Sequence, residues 1–173
     1  MENQANSKGI ILNHGLYYGL ASVLTSVILY ALGKHLEQGL VSSLIGIGFM
    51  ILFIVLAMKK FKTNNNGFMS WGQGVKVGLG TIMVGVLIAI IYQQIFINFI
   101  EPDFMNQLME VQQQQLTDAG LTEEQIEAQM EMGKNFQGPG MMAAFALLGA
   151  AFLGFVFSAI TAAIMKKSEE ETY

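Results

Sequence analysis

Cysteine is absent from the 173-residue chain, which excludes disulfides, thiolate nucleophiles and thiolate metal sites. Arginine is absent as well, so all nine bases are lysines. Charge of either sign is scarce: charged residues make up 13% of the chain against 53% hydrophobic residues, far from the roughly one quarter charged of an ordinary soluble domain. No phosphate-cradling glycine loop and no zinc-type histidine pair can be found. A hydrolytic site needs a nucleophile with a base in reach, and the only two histidines, His14 and His35, flank opposite ends of the first apolar run. These absences predict a protein that is not an enzyme and holds no cofactor or metal.

What the chain has instead is long hydrophobic runs. About 20 apolar residues cross ~30 Å of hydrocarbon as a helix, and four stretches qualify, at about 10–32, 40–58, 75–97 and 141–165. The first ends in a small-x-small pattern at Ala31 to Gly33 that resembles a signal-peptide cleavage site, but it is too long for a secretory apolar region of ~7 to 15 residues. It therefore reads as a retained helix. The whole chain, 1–173, is predicted to be a single all-α integral membrane four-helix bundle, with a polar helical segment over 98–140 between spans three and four.

Orientation follows from the lysines. With both termini inside, Lys8, Lys59, Lys60, Lys62, Lys76, Lys166 and Lys167 lie at the cytoplasmic face, leaving Lys34 and Lys134 outside, as the positive-inside rule requires. Lys59, Lys60 and Lys62 stand near Phe68, Met69 and Trp71, a mixture that can bind nucleic acid. Lysine without arginine reads better as headgroup anchoring, so no nucleic-acid partner is expected. Lys76, the one base within a span, can extend its ammonium to the same headgroups. No Asp, Glu or Arg lies in any span, which counts against a proton relay or ion-coupled path.

Small residues mark the helix-packing positions. Gly74 and Gly78 in span three have the four-residue spacing that lets helix backbones approach in lipid. In span four, Ala146, Ala150, Gly154, Ser158 and Ala162 recur at the same interval and are expected to stay on one side of the helix. Gly15 to Leu24 aligns without gaps on Gly74 to Met83, pairing Gly15 with Gly74 and Gly19 with Gly78. The alignment suggests a 2+2 internal repeat, common in transporters. The stripes fit packing inside one bundle or the seam of a homo-oligomer.

Eight acids and one lysine occupy the segment from Glu101 to Lys134. Glu101-Pro102-Asp103 reads as a helix start, Gly120 as a stop, and Thr122 to Gln125 has capping-box spacing. The expected object is an extracytoplasmic two-helix hairpin or kinked arm. Its apolar positions, Phe104, Leu108 and Val111 on one arm with Ile126 and Met130 on the other, form stripes that pack internally or present a surface to a membrane or envelope partner. The acids are spread along the arms and do not crowd into a calcium loop. His14 is expected at headgroup level, and His35 and Glu37 in solvent.

The glycine pairs, the close of span three at Ile91-Tyr92 to Phe99-Ile100, Pro102-Asp103-Phe104 and Leu121 to Ile126 together resemble the domain of unknown function 4199 family. That resemblance covers nearly the whole chain. It implies a small four-span protein of the inner membrane of a Bacteroidetes bacterium, and it supplies no activity or site residue.

Overall fold

The computed structural model of the protein describes residues 6–37, 40–134 and 138–167. Four long helices, α1 (Ser7–Ala31), α2 (Leu40–Asn64), α3 (Trp71–Ile95) and α6 (Pro139–Met165), carry the apolar runs. Two shorter polar helices, α4 (Phe104–Asp118) and α5 (Glu123–Lys134), lie between α3 and α6. Among the described residues there is no β-strand; one isolated antiparallel bridge joins Met69 to Lys167.

Local signals set the helix bounds. Asn6 accepts a bond from the Gly9 amide (3.1 Å), starting α1. Ser70 and Gln73 close a reciprocal capping box that starts α3 at Trp71, ahead of the apolar run. Lysine is a good helix former and is favoured near a helix C-terminus, so α2 continues through Lys59, Lys60 and Lys62 to Asn64. Asn66 and Gly67, at φ 51° and 86°, then turn the chain back.

α3 is the hub, touching α1, α2 and α6. It runs parallel to α1: Gly80 faces Ile11, Gly15 faces Thr81 and Val84, and Gly19 faces Ile88. A Cβ at Gly15 would stand 2.9 Å from the Thr81 carbonyl oxygen, and one at Gly19 2.8 Å from Ile88 Cβ. Such contact requires glycine, and it supplies the close van der Waals packing that holds helices together in lipid. Along α6, which is antiparallel, Gly74 meets Ala162, Gly78 meets Ser158, and Gly154 meets Ile82.

Ala150, Gly154, Ser158 and Ala162 are buried, whereas Ala146 is exposed. Ala146 looks toward α3 across an open cavity bordered by Val86, Ala89, Ile90 and Gln93, where the two helices part. The aligned glycines also serve different neighbours: Gly15 and Gly19 face α3, while Gly74 and Gly78 face α6.

Outward faces of the long helices are apolar. Leu148 is 67% exposed and Ile164 79%. Four helices are long and apolar enough to cross a membrane, and faces of this kind are suited to lipid. The end of the bundle holding Lys59, Lys60 and Lys62 is clasped by polar bonds. Lys62 Nζ donates to the Met165 carbonyl (2.9 Å), Trp71 Nε1 to the Ala159 carbonyl (3.1 Å), and Met69 and Lys167 exchange two backbone bonds. Lys167 Nζ also stands 5.4 Å from the centre of the Phe68 ring.

Candidate docking site

At the opposite end, the chain leaves the bundle through an irregular turn. α3 continues as a π-helical segment, Phe96–Ile100, which buries Phe96 and Ile97. The Glu101 amide donates to the Phe96 carbonyl (2.9 Å) and closes it. Pro102 and Asp103 then lead into α4, where the Asp103 side chain accepts a bond from Asn106 Nδ2 at 2.6 Å.

Glu101 points back toward the bundle. Its Oε2 lies 3.0 Å from His35 Nε2, and each side chain is only 15% exposed. The two atoms are in contact without a hydrogen bond between them: His35 Nε2, His35 Nδ1 and Glu101 Oε2 are all buried without a hydrogen-bond partner. The other carboxylate oxygen, Oε1, accepts from Gln107 Nε2 at 2.9 Å. Around the imidazole, Tyr30 packs edge-on at 5.0 Å, Phe104 stacks at 6.1 Å and Phe96 stands at 6.2 Å. The cluster joins the end of α1, the α1–α2 connection, the end of α3 and the start of α4. His35 was expected in solvent; the structure instead buries it among these rings, which form one apolar wall only when three segments meet. Glu37 does remain solvated, paired with Lys34 at 3.6 Å.

Beyond this hinge, α4 and α5 form the hairpin. Gly120 (φ 80°) turns the chain, and the Thr122–Gln125 capping box forms through bonds of 3.0 and 3.4 Å. Phe136 and Gln137 lie outside the described residues. The expected partner stripe is partly spent inside the molecule: Leu108 and Ile126 are buried, and half-buried Phe104 packs on His35 and Phe96. Val111 and Met130 remain half-exposed.

Between the arms lies an open cleft of about 880 Å³. Met109, Leu121, Ile126 and Met130 supply its apolar lining, and Asp103, Glu110, Glu123 and Glu127 its acids. These four acids are exposed, and among the described side chains no lysine lines the cleft. The cleft is not visible from either arm's apolar stripe alone, because its two walls belong to different helices. The signal was present in the alternation of Glu123, Ile126, Glu127 and Met130 at helical spacing.

Two smaller cavities flank the bundle. One, of about 250 Å³, lies between α1 and α2 against Tyr18, Ser22, Thr25, Ser26 and His35. Ser22 and Thr25 donate to the carbonyls four residues back in their own helix, at 2.9 Å each. Thr81, buried on α3, does the same to Val77 at 2.8 Å. The side chain of Ser42 lies outside the described residues. The other cavity, of about 320 Å³, separates α3 from α6 at Gln93, Gln94, Met142 and Ala146. Among the described residues, no three His, Asp or Glu side chains converge as a metal would require.

The model of the family described as "Protein of unknown function (DUF4199)" matches residues 13–167. The chain belongs to the DUF4199 family. The match takes in most of α1, the other three long helices, the hinge and the hairpin, so His35, Glu101 and the cleft lie within the DUF4199 region. DUF4199 carries no assigned activity. No curated protein and no solved structure matches the chain.

Proposed function

We propose that this multi-pass membrane protein is a non-enzymatic accessory or scaffolding subunit that docks a membrane or envelope protein through α4 and α5. It would reside in a bacterial inner membrane with both termini cytoplasmic and the hairpin outside. The observation that carries this reading is the open acidic cleft on an arm fixed to the bundle at His35 and Glu101. Orientation is supported by seven of nine lysines lying toward the end opposite the arm.

The test is extraction in mild detergent from native membranes, with and without residues 102–137, followed by mass spectrometry of proteins held at fixed stoichiometry. Docking requires a companion that is lost with the arm. An unchanged set of companions would rule it out.

A second reading, a small transporter or channel, draws on the hydroxyl-lined cavity between α1 and α2. Two of its hydroxyls donate to their own backbone and have no proton left for a permeant. Flux in reconstituted vesicles would favour this reading over docking.

A further inference from the structure

We propose that the α4–α5 cleft receives a cationic amphipathic helix of a partner protein, a refinement that rests on the docking role proposed above. Three features of the hairpin converge on that occupant.

The first is shape. Asn106, Met109, Glu110, Gln113 and Thr117 recur at intervals of three and four, so the α4 side of the cleft is one helix face. Glu123, Ile126, Glu127 and Met130 make one face of α5 in the same way. Two helical faces thus border an open volume of about 880 Å³. An α-helix with its side chains is ~10–12 Å across, and a third helix laid between two others is a recurrent mode of groove recognition.

The second is the lining. Ile126 is buried, and Met109, Leu121 and Met130 are half-buried, so the floor is apolar yet reachable. Methionine is unbranched and polarizable and fits itself to irregular apolar stripes. The floor therefore suits the apolar side of an amphipathic helix, and a free small ion would gain little from it.

The third is charge. Asp103, Glu110, Glu123 and Glu127 border the floor with no lysine among them. Seven of the chain's nine bases lie toward the far end of the bundle, Lys34 is engaged with Glu37, and the side chain of Lys134 lies outside the described residues. Among the described side chains no base of this chain answers these acids, so the complement is assigned to another molecule. Lysines or arginines flanking the apolar stripe of an incoming helix would meet these acids, which favours encounter and fixes register.

The test uses the full-length protein in nanodiscs of zwitterionic lipid, with empty nanodiscs as the blank. The probe is a fluorescent amphipathic helical peptide of Lys and Leu, about 15 residues long, read by anisotropy. A scrambled peptide of equal composition controls for net charge. The intact protein should bind the amphipathic probe saturably and the scrambled one about tenfold more weakly. Joint replacement of the acids (D103N, E110Q, E123Q, E127Q) should weaken binding by about tenfold or more, since several exposed pairs are lost together. The charge-reversed variant E110K/E123K/E127K should instead take a Glu/Leu version of the probe, which excludes misfolding as the cause. Equal binding of scrambled and amphipathic probes, or binding unchanged by the acid replacements, would overturn the proposal. If removal of 102–137 releases a native companion while the four-amide variant retains it, this inference falls and docking by the arm stands.

Discussion

His35 Nε2 and Glu101 Oε2, from the α1–α2 connection and the root of α4, meet 3.0 Å apart behind a wall of three aromatic rings. The pair fixes where the polar arm leaves the bundle, because Glu101 also holds Gln107 one turn into α4. A shielded pair costs more to break than a surface one, since the surviving partner keeps its desolvation penalty. At 15% exposure some of that penalty is relieved by water. Replacement E101Q or H35A should therefore cost about 1–2 kcal/mol. In hydrogen exchange, the first turn of α4 should open while the α3–α6 seam keeps its protection. Equal loosening of both regions would show that the pair does not act as a local hinge.

The seams make a contrast between two glycines. A Cβ at Gly78 would collide with Ser158 and approach Met58, whereas nothing stands within 4 Å of one at Gly48. G78A should destabilise by about 1–3 kcal/mol through overpacking. G48A should be neutral or stabilising by up to about 1 kcal/mol, through helix propensity alone. Thermal unfolding in one detergent compares them directly, and similar melting temperatures would remove α3–α6 contact from the explanation of stability.

Ser158 offers a change of opposite sign. Its hydroxyl is fully buried and has no hydrogen-bond partner. S158A removes an unsatisfied polar group with little change in volume, so it should leave stability unchanged or raise it by up to about 1 kcal/mol. Clear destabilisation would mean that the hydroxyl is satisfied by a group outside this chain.

Because the chain has no cysteine, single cysteines report orientation without background. Gln114 on α4 and Thr63 at the end of α2 are both exposed. With the arm outside, Q114C should react with an impermeant maleimide in intact spheroplasts and T63C only after permeabilisation. The reverse pattern would invert the bundle.

Much of this architecture is legible in the chain itself. Helices that must be apolar over about 20 residues announce themselves by composition, and the Thr122–Gln125 cap and the Gly120 stop are local signals that tertiary contacts do not override. The box at Ser70 and Gln73 was equally local but hidden by a search for apolar runs, which delayed the expected start of span three. His35 was not legible, because its surroundings are built from residues on three other segments. Ala146 lies on the stripe's α3-facing side but is exposed, because the gap between α3 and α6 at its level depends on both helices and not on α6 alone. For Leu108 and Ile126 the sequence leaves internal packing and a partner surface both open, and the folded hairpin buries them.

The central claim is that the cleft faces another protein, and site-specific photo-cross-linking in native membranes tests it most directly. A photoreactive residue at Met109, in the cleft, is compared with one at Leu148, on the lipid-facing side of α6. Docking by the arm requires a discrete protein adduct of fixed mass from Met109 and lipid adducts alone from Leu148. Lipid or no adduct at both positions would contradict it.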